Sequence, residues 1–150
     1  MINTMGRLLD AWHALLSGSL SYSGKSVMVF KEDAPIDFGS AAISEHYVLL
    51  RAEGESDQSN KRSFVNDTVV IVDIVTKHTI NINRSVVENI DGQITALALT
   101  APFRTGLSAQ AGMQILNVTR ETSNYLAESN NTEKTYRKVS RYNSRILQTS

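Results

Sequence analysis

The sequence predicts one α+β domain, a mostly antiparallel twisted sheet flanked by helices and ending in a long C-terminal β-hairpin. Three observations carry that prediction. Val69, Val70, Ile71, Val72, Ile74 and Val75 make an almost unbroken β-branched run, the composition of a strand. Apolar residues recur at three- and four-residue spacings between Ile2 and Leu16 and again between Val86 and Leu97, the stripe of a helix buried on one side. Two long extended segments, Met113 to Ala127 and Lys134 to Leu147, flank the turn-like Glu128-Ser129-Asn130-Asn131. At 150 residues with no internal repeat, the chain reads as a single domain. Residues 1–112 form an α/β core, and residues 113–150 form a hairpin arm that packs on the core or on a neighbouring subunit.

Taken in order, Ile2, Met5, Leu8, Leu9, Trp12, Leu15 and Leu16 give a first helix, ended by Gly18 and the Ser-rich run to Gly24. Val27 to Phe30 is a short strand. Glu32 to Ser44, with Pro35 and Gly39, is a loop. Tyr47 to Arg51 is a second short strand, and the strongly polar Glu53 to Ser63 reads as an exposed loop. Phe64 leads into the β-branched run, whose apolarity on both faces predicts a central strand covered on both sides. Asp73 lies within that run and must find a partner, because an unpaired buried charge is costly. Ser85 and Glu88 have capping-box spacing, which predicts a helix starting at Ser85. Gly92 weakens its middle by about 1 kcal/mol relative to Ala. Thr100 to Gly112, with Pro102 and Gly106, reads as a loop. The hairpin arms are polar, with Thr119 to Ser123 on one and Arg137, Lys138, Arg141 and Arg145 on the other. A two-stranded ribbon is not stable alone in water, so this one must lie against something else, a neighbouring subunit being the simplest candidate.

Composition narrows the function. Lys plus Arg and Asp plus Glu each total 15, so the formal net charge is zero. Such a chain lacks the charge excess that drives general nucleic-acid binding and has no charge-based protection against self-association. The absence of cysteine removes disulfides, zinc-thiolate sites and thiol nucleophiles. The N-terminal stretch carries Arg7, Asp10 and His13 among its apolar residues, the pattern of an amphipathic helix and not of a signal peptide.

The chemistry-bearing residues do not converge. His13, His46 and His78 share no metal-ligand spacing. Asp67 and Asp73 lie on one face of one strand, too far apart to act as an acid/base pair. Gly24-Lys25-Ser26 echoes the end of a P-loop, but the upstream glycine is missing and the run leads into a strand. The sequence therefore points to a non-enzymatic protein with no cofactor, no metal and no catalytic residue. Two charged groupings remain. One is acidic Glu53, Glu55 and Asp57, followed by Lys61 and Arg62; the other is basic Arg137, Lys138, Arg141 and Arg145. Arg137, Arg141 and Arg145 share one face of an extended strand, with Tyr136 and Tyr142 on the other. Two different complementary patches are what a closing ring of identical subunits requires. The alternative reading is a nucleic-acid-binding module using the basic ribbon.

The order of segments carries a resemblance. A helical N-terminus and strands precede Tyr47-Val48-Leu49-Leu50, a segment ending Asn60-Lys61-Arg62-Ser63-Phe64, and Val69-Val70-Ile71-Val72-Asp73-Ile74-Val75-Thr76-Lys77. A helix and a hairpin with scattered arginines follow. In order and texture, over most of its length, the chain resembles the tail-terminator and tail-completion proteins of tailed bacteriophages, which also serve as head–tail neck proteins. The resemblance implies a sheet flanked by helices and a ring, commonly hexameric, at the head-proximal end of the tail. That ring stops tail-tube polymerisation and faces the head connector. The implied partners are copies of the chain itself, a portal-side connector protein and the tail tube protein, with DNA at most passing through the lumen. The implied location is the virion neck, and the host cytoplasm during assembly, with no membrane involved. No catalytic residue carries over. The long Ser/Thr/Asn-rich hairpin departs from the family pattern.

Overall fold

A computed structural model describes residues 4–31, 46–57, 64–78, 84–112, 114–129 and 134–148. Helix α1 spans Thr4–Leu16. The small antiparallel pair β1 (Ser21–Tyr22) and β2 (Lys25–Ser26) follows. Ser23 and Gly24 between them both take positive φ, as a two-residue hairpin turn requires. Next come β3 (Met28–Phe30), β4 (Tyr47–Asp57), β5 (Phe64–His78), α2 (Arg84–Ala98), α3 (Ala101–Ala111), β6 (Gln114–Ser129) and β7 (Lys134–Gln148).

The main sheet has the order β3-β4-β5-β7-β6. Only β3 with β4 is parallel; every other pair is antiparallel. The C-terminal hairpin is therefore part of the sheet. β7 pairs with β5 from His78↔Lys134 to Phe64↔Gln148, so it lies against its own core. Strand β6 runs to Ser129, past the start of the hairpin turn expected at residues 128–131; residues 130–133 lie outside the described residues.

Strand β5 is central, as expected, and among the described residues helices α1, α2 and α3 pack on one face of the sheet. Val70, Val72 and Ile74 meet Trp12, Val87, Ile90, Ile94 and Leu107 in the core, with Val48 and Leu50 of β4 and Tyr142 and Ile146 of β7. On the opposite face Val69 and Ile71 are half-buried. On that same face Val75 is buried with Tyr47 against Phe30.

Two segments read as loops are regular structure. β4 continues through Glu53 to Asp57, because its backbone is paired along β5 as far as Asp57↔Asn66 with a bulge between Glu53 and Glu55. The strand is held there by its ladder, not by apolar patterning. The expected loops at 32–44 and 58–63 lie outside the described residues. The other correction is α3. Thr100 is its N-cap, with the hydroxyl accepting the Phe103 N–H; Pro102 lies in the first turn, and Gly112 closes the helix in the left-handed conformation. The residues read as breakers are its start and stop signals. Gly106 has a packing role: a Cβ there would sit 3.2 Å from both Leu15 methyl carbons, so it lets α1 and α3 approach closely. Helix α2 begins at Arg84, one residue before the expected start, and Glu88 turns to the hairpin instead of closing a capping box.

Gly92 and Gly106 make opposite predictions. A Cβ at Gly92 meets nothing within 4 Å, so Gly92→Ala gains stability by about 0.5–1 kcal/mol. Gly106→Val loses about 1–3 kcal/mol by overpacking against Leu15. Urea denaturation of both variants checks the pair.

Candidate functional site

The sheet face away from the helices carries Glu53, Arg137, Arg141 and Arg145 of the charged candidates read from the sequence. Strand alternation turns Arg137, Arg141 and Arg145 of β7 to this side, and the register places Asp67 and Asp73 of β5, Arg51 and Glu53 of β4 beside them. The groups form rungs across the strands. Arg145 Nε donates to Asp67 Oδ1 at 2.9 Å and its Nη2 to Asp67 Oδ2 at 3.1 Å, a two-point fork. Arg141 Nη1 donates to Glu53 Oε2 at 2.6 Å, and Arg141 Nε lies 3.7 Å from Glu121 of β6. The Glu53 carboxylate holds the Arg141 guanidinium pKa above its ordinary value. Arg137 forks onto Asp73, which is fully buried, and Arg51 approaches the same carboxylate at 3.8 Å. Asp73 thus has the partner its burial demands. Asp67 and Asp73 each serve a different arginine and are not an acid/base pair.

Lys138 has the opposite parity and faces the helices, where it is 4% exposed. It donates to Asp91 of α2 at 2.7 Å and lies 3.5 Å from Glu88. Burial disfavours its charge, but the hydrogen bonds with Asp91 and Tyr125 outweigh that and raise its pKa above the ordinary value. Arg120 of β6 reaches the same Asp91 oxygen at 3.3 Å. The Tyr125 hydroxyl donates to Glu88, whose pKa is lowered by that bond first and by Lys138 and Arg84 as well. This cluster bolts α2 onto the hairpin. It removes Lys138 from the exposed basic patch expected of it, because residue 138 shares parity with Tyr136 and Tyr142 and not with Arg137.

The remaining predicted site residues are placed as follows. Glu53 pairs with Arg141 in its own chain, so one member of the acidic segment and one of the basic ribbon satisfy each other internally. Glu55 and Asp57 lie in β4 opposite Thr68 and Asn66, and their side chains lie outside the described residues. Lys61 and Arg62 lie outside them as well. Sequence reasoning missed Arg51, Asp91 and Arg120 as partners; only the sheet register brings them into reach.

The histidines have structural roles. His13 Nε2 donates to the Val29 carbonyl at 3.0 Å. His46 Nδ1 accepts the Lys77 N–H at 3.1 Å. Thr76 donates its hydroxyl to the Tyr136 carbonyl and accepts from His78 Nε2 at 2.9 Å. A cavity of about 320 Å³ beside the β1–β2 turn is lined by Tyr22, Ser23, Lys25, Ser26, Val27, His46 and Lys77, and these residues hold no nucleophile–base pair with an orienting acid. Among the described residues no group of three His, Asp or Glu is placed to hold a metal ion, and no helix is long and apolar enough to cross a membrane. No protein-family model and no curated protein matches the sequence.

Asp91→Ala leaves the Lys138 ammonium buried with Glu88 as its remaining carboxylate, and the expected loss is about 3 kcal/mol. Adding Lys138→Met recovers most of it; equal urea midpoints for the single and double variants would contradict the bolt. Stability also depends on pH in two steps. Burial lowers the His78 pKa below its ordinary 6.5, so the unfolded chain takes up a proton first and stability falls as pH drops through that value. Glu88, lowered from 4.5, contributes stability above that value that is lost as pH falls through its folded pKa. Thermal melts across this range show both declines, and Glu88→Gln flattens the acidic one.

Proposed function

We propose that this chain is a non-enzymatic structural subunit that assembles with copies of itself into a ring at the head–tail neck of a tailed phage, ending the tail tube or joining the tail to the head connector. The observation that carries the assembly part is the sheet face that no helix covers among the described residues. Strands β4, β5, β7 and β6 at ~4.8 Å spacing, along ~15 residues at ~3.4 Å each, present on the order of 800 Å², about one partner's share of a standard protein interface. Half-buried Val69 and Ile71 lie among ion pairs on that face. Shielded apolar groups among charges satisfied within the chain suit a contact with another folded protein.

The edge strand β6 is a poorer docking element. Two bulges, between Ile115 and Asn117 and between Arg120 and Thr122, interrupt its pairing with β7 and kink the strand. Arg120 points inward to Asp91. Both are devices that discourage strand addition. The assignment to a phage neck rests on the resemblance in segment order, which the fold accommodates: a helix, strands ending in a long central pair, helices, and a C-terminal hairpin. The nucleic-acid reading is weakened because Arg137, Arg141 and Arg145 each already hold a carboxylate, which lowers the gain from neutralising phosphate.

Light scattering after size exclusion tests the proposal. The wild-type chain is expected as a closed oligomer, and Val69→Glu, which adds a charge to the half-buried apolar part of that face, as smaller species. Arg137 is unsuited to this test, since its reversal strands buried Asp73. Duplex DNA titrated at two salt concentrations is expected to show no steeply salt-dependent binding; tight binding that collapses with salt by a monomeric chain would favour the nucleic-acid module instead.

A further inference from the structure

The described cations divide by location. On the open sheet face each arginine has a carboxylate in its own chain. Arg7 of α1 and Arg104 of α3 have no ion pair or side-chain hydrogen bond among the described residues. Asp10, three residues along α1 from Arg7, is held by Lys31 at 2.8 Å. Among the described residues α1 and α3 therefore carry two cations without a carboxylate partner. Arg7 lies beside Gly112, with a guanidinium nitrogen 3.6 Å from where a Cβ would stand. Gly112 follows the C-terminus of α3, and Arg104 stands in its first turns, eight residues earlier. At a helical rise of ~1.5 Å that is about 12 Å. The exposed residues between and around them on α3, Ala101, Pro102, Thr105, Ala109 and Gln110, are mostly small, so a flat surface can come close.

The opposite side of the molecule has the converse imbalance. Arg141 is flanked by Glu53 and Glu121, giving two carboxylates to one guanidinium, all substantially exposed. Glu53 on β4 and Glu121 on β6 reach one guanidinium from either side, so their carboxylates converge on the middle of the sheet face. The neighbouring Asp73 rung, with two guanidiniums on one carboxylate, is no acceptor for further cations.

We infer that the α1/α3 surface bearing Arg7 and Arg104 seats on the Glu53–Arg141–Glu121 triad of a second copy. This rests on the assembly reading above and deepens it by naming the two patches. The occupant is a second copy because the complementary charges belong to one chain, on opposite sides of it. Each copy then offers one donor surface and one acceptor surface, a heterologous contact that repeats until it closes. The patches differ from those read in the sequence, whose acidic and basic members satisfy each other within the chain.

The test uses two full-length double variants, Arg7→Glu with Arg104→Glu, and Glu53→Lys with Glu121→Lys, each confirmed as folded by its melting curve. In native mass spectrometry at low salt each alone associates at least about tenfold more weakly than wild type, since like charges then meet. Mixed in equal amounts, they regain assembly with strict alternation and an even copy number, because every contact is again complementary. Variants that assemble like wild type, or folded variants that mixing does not restore, overturn this seating and leave the ring reading standing. A wild-type chain that never assembles overturns both.

Discussion

Strand β7 is the constraint on which the rest of the structure depends. It lies second from the edge, with β5 on one side and β6 on the other, so neither of its backbone edges is open. Its side chains alternate between Arg137, Arg141 and Arg145 on one face and Lys138, Tyr142 and Ile146 on the other. A shift of one residue would drive three guanidiniums under the helices and expose the Tyr142 and Ile146 core contacts. Charges fix the register from both sides: Asp73, Glu53 and Asp67 on the open face, and Asp91 beneath α2. The position of α2, the burial of Lys138 and the composition of the open face all follow from that pairing.

Much of this was legible in the sequence, and the failures have physical causes. The β-branched run, the first helix, the hairpin and the need of Asp73 for a partner all emerge from local pattern, because each is written in consecutive residues. Helix α3 was not legible as a helix. Its glycines and proline were read as breakers, although Pro102 opens it, Gly112 closes it, and Gly106 is required by Leu15, a residue far away in sequence. The polar end of β4 was missed because its partner is the β5 backbone and no apolar alternation marks it. Lys138 was grouped with the arginines by composition, although parity puts it with the tyrosines. Asp91, on a helix face otherwise reading as core, was the overlooked signal that a cation had to arrive from elsewhere.

The same pairing accounts for the functional reading. A strand whose arginines are neutralised within the chain presents neither a phosphate-binding stripe nor a bare apolar face. It presents a polar, charge-balanced surface of interface size, with one local carboxylate excess around Arg141 and a matching cationic excess across the molecule on α1 and α3. Bulges and an inward arginine discourage strand addition at the β6 edge. A sheet face meeting a helical layer is a contact that one chain can repeat around an axis.

Cryo-electron microscopy of the purified wild-type chain tests this account most directly. It predicts class averages of a closed ring in which the helical layer of each subunit covers the open sheet face of the next. Solitary particles at every concentration, or rings in which that sheet face stays bare, would contradict it.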